Sequence, residues 1–140
     1  MALVVPDEGE RKLLEYIVNK TAPTNLVIRL YVNDVDLSGE TFTTSSFTEA
    51  NTGSSSSSSN GYASVTLLGA NWTVSTNQGV SVAVYNSTIT FSFTESQSVY
   101  GYYITNTSGN ILWAERFSGA PFNLPSGGGD ISVRPQVQLN

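Results

Sequence analysis

Apolar positions along this chain follow two rhythms. Over PDEGERKLLEYIVNKTAP, residues 6–23, Leu13, Leu14, Ile17 and Val18 recur at helical spacing and form one stripe, which predicts an amphipathic helix lying on something. Asp7 followed by Glu10 fits a capping pattern, acidic residues crowd the first turn, Lys20 stands near the end, and Pro23 blocks continuation. Gly9 weakens that first turn.

After the helix the period falls to two. In NLVIRLYVN, Leu26, Ile28, Leu30 and Val32 point one way while Val27, Arg29 and Tyr31 point the other. Strand candidates follow over residues 41–47, 62–68, 72–75, 80–85, 88–94, 99–105, 111–117 and 131–139, about nine in all, separated by Gly, Asn and Ser turns. The pattern predicts a single mainly β domain: an antiparallel β-sandwich or jelly roll over residues 25–140, preceded by an arm and one N-terminal helix over residues 1–24. Residues 50–61, which include the run Ser54–Ser59, read as a flexible loop, and residues 124–130 as a second connector. Pro135 interrupts the last alternating run and moves that strand to an edge or a bulge.

The richest segment is VYGYYITNTSGNILWAERF, residues 99–117, which carries Tyr100, Tyr102, Tyr103, Trp113 and Phe117. Both of its strands are apolar on both sides near the middle. That suits a central hairpin covered on one face by the opposing sheet and on the other by the helix or another subunit, so these five aromatics are expected in the core or a subunit interface. A sugar platform is the alternative, although a platform need expose only one face. Glu115 and Arg116 point to opposite faces, and each should find a partner elsewhere.

Composition narrows the chemistry. The 140 residues include no Cys and no His, which removes disulfides, Cys or Cys/His zinc sites, and the Ser-His and Cys-His nucleophile pairs. Charged residues make up 12% and the net charge is -5, which argues against a nucleic-acid partner, since phosphate affinity comes from clustered Lys and Arg. Eight of the eleven carboxylates lie in residues 1–50. The opening MALVVPDEGE has neither the basic start nor the apolar length of a signal peptide or membrane span, so a product made in the cytoplasm is expected, with no membrane partner.

Two clusters resemble sites and fall short. DVDLSGE places Asp34, Asp36 and Ser38 in alternation before Gly39, as a calcium loop begins, but Phe42 and Ser45 fall where later ligands belong. An EF-hand is ruled out, leaving an open calcium site or a polar turn. Glu49, Glu95, Glu115 and Asp130 are the acids a glycosidase would need, each isolated in sequence. The expectation is therefore no enzyme and no cofactor.

The succession VPDEGE…LL, LVIRLYVND, FTEA…GYASVTL, GANWTV, VYGYYIT…ILWAERF and GGGDISVRPQVQL resembles small virion structural proteins of tailed bacteriophages over nearly the whole chain. The likeness is sharpest at residues 99–105 and 111–117, and the serine run departs from it. The resemblance implies a capsid decoration or cement protein on the outside of the shell, often a homotrimer, with the major capsid protein as partner. Leu3, Val4 and Val5 would then be a shell-contacting arm, or else an extra strand. A tail or fibre component, or a carbohydrate-binding module that takes host surface sugar, is the alternative.

Overall fold

The computed structural model describes residues 3–50 and 60–139. Helix α1 covers Asp7–Ile17, and eleven strands follow among the described residues: β1 Leu26–Tyr31, β2 Val65–Leu67, β3 Trp72–Asn77, β4 Val80–Tyr85, β5 Ile89–Phe93, β6 Gln97–Val99, β7 Gly101–Asn106, β8 Ile111–Arg116, β9 Phe122–Leu124, β10 Gly129–Val133 and β11 Gln136–Leu139. All the pairings are antiparallel. The fold is thus mainly β with one helix, as the alternation implied.

One layer is the sheet β2-β1-β7-β8. In the other, β5 pairs with β10 and β4 with β11, and the two pairs form one long ribbon, kinked at residues 86–88 on one side and at Arg134 and Pro135 on the other. Tyr85 N–H donates to the Pro135 carbonyl across this kink (2.9 Å), and the Tyr85 carbonyl, which would otherwise accept the N–H that proline lacks, accepts from Arg134 Nε instead (3.0 Å). The expected strand over 131–139 is therefore two strands.

Ile28, Leu30, Tyr102 and Ile104 face Phe91, Phe93, Ile131 and Val133 across the layers, and this is the main core. The opposite face of the first sheet, with Tyr31, Tyr103 and Ala114, is covered by Val35, Leu37, Phe42 and Phe47 from the β1–β2 connection. This corrects the expectation that the helix or another subunit covers it. It also corrects the strand expected over 41–47. There Thr43 and Ser46 bond reciprocally to each other's backbone and wind a short 3-10 turn, Thr44–Ser46, so local side-chain bonds replace a ladder. The expected strand over 99–105 is split at Tyr100, because β6 pairs with β9 while β7 joins β1 and β8. One run of chain thus changes sheets at a corner.

Helix α1 turns a different face inward from the one expected. Leu14, Ile17 and Val18 are 61%, 78% and 69% exposed. The docked face is Gly9, Leu13 and Tyr16. Gly9 lies so close to β8 that an added Cβ would stand 2.3 Å from the Leu112 carbonyl oxygen. Asn106 Nδ2 donates to Tyr16 Oη (3.1 Å) and Asn110 Nδ2 to Glu8 Oε1 (3.2 Å), which ties both ends of the helix to the β7–β8 turn. Backbone contact at a glycine, with polar anchors on either side, outweighs the apolar stripe. The start of the helix differs too: Pro6 holds the N-cap position without a side-chain cap. At the end, Asn19 adopts a left-handed φ of 57°, with Asn19 N–H to Tyr16 O and Lys20 N–H to Glu15 O forming a Schellman closure.

Candidate functional site

The five aromatics of residues 99–117 occupy unlike places. Tyr102, Tyr103 and Trp113 are buried, while Tyr100 and Phe117 are half-buried. Tyr103 stacks on Phe47 (4.6 Å between centroids, 14° between planes), and Trp113 meets Trp72 edge-on at 6.4 Å. Tyr102 Oη donates to Glu115 Oε2 (2.7 Å). Arg116, on the other face, pairs with Asp34 and lies 5.1 Å from the centre of the Tyr100 ring, a cation–π contact. Burial pushes the phenols of Tyr31 and Tyr103 up to about 12, and those of Tyr62 and Tyr102 up further.

A second polar cluster was not legible as a site. Arg29 Nη1 donates to Glu49 Oε2 (2.8 Å), Tyr62 Oη donates to Glu49 Oε1 (2.9 Å), and Tyr62 Oη accepts the Leu30 N–H (3.0 Å). Beside it Asn60 Nδ2 donates to the Ala50 carbonyl (2.9 Å) and Asn60 Oδ1 accepts the Tyr62 N–H (3.1 Å). Ala50 and Asn60 flank residues 51–59, so the two stems of the expected serine-rich loop are clamped together, and the loop itself lies outside the described residues. The one signal in the sequence was Arg29, a charge inside an apolar strand.

The candidate calcium loop is used internally. Asp34 is taken by Arg116, and Asp36 Oδ1 accepts the Ser38 N–H (2.9 Å), which holds that carboxyl below its usual range. No group of three or more Asp and Glu suited to a metal ion occurs among the described residues. Glu49 and Glu115 are engaged separately, as above, while Glu95 and Asp130 are exposed.

Residues 3–5 are half-buried along β8. Val4 exchanges two backbone hydrogen bonds with Ala114, both 2.9 Å, while Leu3 and Val5 pack against the main core. Only Met1 and Ala2 of the MALVV arm lie outside the described residues.

The open apolar surface lies elsewhere. A cleft of about 210 Å³ separates α1 from β3, β4 and β11, lined by Leu13, Val74, Trp113 and Val137 among others. A second, of about 240 Å³, lies against Leu13, Tyr16, Trp72 and Trp113. Helix α1, held by Gly9, therefore sets the width of both. A depression of about 400 Å³ lies over Val4, Asp34, Leu37 and Arg116.

The chain shows no match to any protein family, curated protein or solved structure with which it was compared. No helix among the described residues is long and apolar enough to cross a membrane.

Proposed function

We propose that this chain is a structural component of a tailed-phage virion, a decoration or cement protein that sits outside the shell and strengthens it by adhesion. The supporting observation is the fate of the side chains capable of chemistry. Asp34, Glu49, Glu115, Tyr62 and Tyr102 are each bonded to an internal partner, so their interactions stiffen the body. Exposed apolar side chains, among them Leu14, Ile17, Val18, Leu68, Val74 and Phe122, are left for neighbours. The major capsid protein is the partner under this reading. The shell contact at Leu3, Val4 and Val5 is then made by a segment bridged to β8 through Val4 and Ala114 rather than by a free arm.

Adhesion of this kind works by linkage. A ligand that binds the closed shell and not the opened one adds RT ln(1 + [L]/Kd), about 2.7 kcal/mol per site at a hundredfold excess over Kd. The test is to add purified protein to expanded, undecorated shells built from the major capsid protein encoded with it. Saturable binding and a raised shell melting temperature are expected; shells that neither bind it nor gain heat resistance would refute the proposal.

One observation favours the second reading, a sugar-binding tail or fibre component or carbohydrate-binding module. Phe122, 55% exposed, lies with Phe117, Asp130 and Ser132 around a shallow depression of about 220 Å³, which brings aromatic faces beside a carboxylate and a hydroxyl. Selective glycan-array binding that Phe122→Ser abolishes, with the fold intact, would favour that reading over cement.

A further inference from the structure

We infer that Asn60–Gly61 is a spontaneous modification site: the fold holds back deamidation there, and deamidation, once it happens, unfastens the stems at Ala50 and Asn60. The inference goes beyond the virion reading and does not depend on it. Among the asparagines of this chain only Asn60 is followed by glycine. An asparagine amide is attacked by the backbone nitrogen of the next residue, and a glycine there has no Cβ to hinder the approach and lets the backbone bend toward it.

The step balances without a cofactor. The Gly61 nitrogen, its proton passed to solvent base, bonds to Asn60 Cγ; the Cγ–Nδ2 bond breaks and Nδ2 leaves as ammonia, closing a cyclic imide. Water then opens the ring. Attack at Cγ gives aspartate in the normal chain, and attack at the main-chain carbonyl gives isoaspartate, whose link to Gly61 runs through the side chain. In sum a water is consumed and an ammonia released, with no change of oxidation state.

The structure sets both the restraint and the consequence. Asn60 is 6% exposed, and its amide is held at both ends, by the Ala50 carbonyl on Nδ2 (2.9 Å) and the Tyr62 N–H on Oδ1 (3.1 Å), while its own carbonyl accepts the Thr94 N–H (2.8 Å). Attack turns the planar amide carbon tetrahedral and needs solvent to take up and supply protons. A buried amide bonded at both ends meets neither condition, so the folded chain reacts through openings of the clamp.

The product cannot restore that clamp. A carboxylate only accepts, so toward the Ala50 carbonyl and Gln97 Oε1 it offers an acceptor where the amide offered a donor. Isoaspartate also lengthens the main chain beside Gly61, where there is no room. Gly61 has a φ of 86°, and an added Cβ would stand 2.9 Å from the Ser92 carbonyl oxygen.

The experiment follows conversion at each asparagine by peptide-mapping mass spectrometry, with a methyltransferase assay for the isoaspartyl product. The full wild-type chain is warmed at mildly alkaline pH with and without urea. Asn60 is expected to convert ahead of the other asparagines in urea, and at least about tenfold more slowly without it. Tyr62→Phe, which loosens the clamp, is expected to speed the folded reaction at least about fivefold and to leave the rate in urea unchanged. Converted protein, and Asn60→Asp as its stable likeness, are expected to exchange the Tyr62 and Thr94 amide protons at least about tenfold faster than the unconverted chain. Equal rates with and without urea, another asparagine ahead of Asn60 in urea, a folded Tyr62→Phe chain no faster than wild type, or converted protein whose Tyr62 and Thr94 amides stay as protected as before would overturn the inference.

Discussion

Replacing Gly9 by Ala sets two effects of opposite sign against each other. Helix propensity alone favours alanine by about 1 kcal/mol in a helix interior. Docking opposes it, because the new Cβ would lie 2.3 Å from the Leu112 carbonyl oxygen and 2.9 Å from its carbonyl carbon, where the ordinary contact range begins at 3.4 Å. The obstacle is backbone within a paired strand and cannot rotate away. The helix must therefore move outward by about 1 Å, a gap large enough to forfeit a quarter to a half of each dispersion contact it opens. Such a shift stretches the 3.1 Å bond from Asn106 to Tyr16, at about 1 kcal/mol, and loosens Leu13 and Tyr16, at about 1–2 kcal/mol more. The net expectation is destabilisation by about 1–2 kcal/mol, which lowers the urea midpoint by roughly 0.5–1 M at a slope of about 2 kcal/mol/M. Gly69→Ala is the control. Gly69 has nothing within 4 Å of an added Cβ and no positive φ, so its stability should stay within about 0.5 kcal/mol of wild type. Tryptophan fluorescence during urea unfolding reads both variants, since Trp113 lies beside Leu13. If Gly9→Ala is as stable as wild type or more so, α1 is not held against β8, and the cleft it borders loses its basis.

Other expectations follow from the same contacts. Tyr62→Phe leaves the buried Leu30 N–H without its acceptor and Glu49 without one donor; a loss of about 1–3 kcal/mol in urea unfolding is expected. Asn60→Ala unfastens the stems at Ala50 and Tyr62, and protease nicking between residues 50 and 60 should quicken before global stability falls by about 1–2 kcal/mol. Alkali should unfold the protein through its tyrosines. The folded pKa of Tyr31 and Tyr103 is raised from 10 to about 12, so the unfolded chain loses those protons first; their contribution is intact below pH 10 and is lost as pH rises toward 12. Each contributes a slope of up to about 1.4 kcal/mol per pH unit in that window, and a urea midpoint flat from pH 9 to 12 would contradict the burial of these phenols.

The parts of this fold that sequence made legible are those in which periodicity decides the outcome. Alternation in residues 25–33 placed Ile28 and Leu30 on one face and Tyr31 on the other, because a strand has only two faces to choose from. Helix α1 was legible as a helix, but its orientation was not. Leu14, Ile17 and Val18 outweigh Leu13 and Tyr16 on any hydropathy count, while the decisive contact is a glycine against a carbonyl, which carries no hydropathy signal. Residues 41–47 misled for a related reason: Phe42 and Phe47 are buried, but Thr43 and Ser46 bond to nearby backbone and curl the segment. The clamp of Arg29, Glu49 and Tyr62 joins residues far apart in sequence, and only the folded registers bring them together. The aromatic segment was legible as a hairpin. Its cover was not, because Val35, Leu37, Phe42 and Phe47 reach Tyr103 through a connection without regular alternation.

The claim that this chain acts by adhering to a viral shell is tested most directly by electron cryomicroscopy of expanded shells with and without the purified protein. The account predicts added density on the outer surface, into which the two-layer body fits with residues 3–5 toward the shell. Shells that look alike in the two reconstructions, or added density confined to the tail, would contradict it.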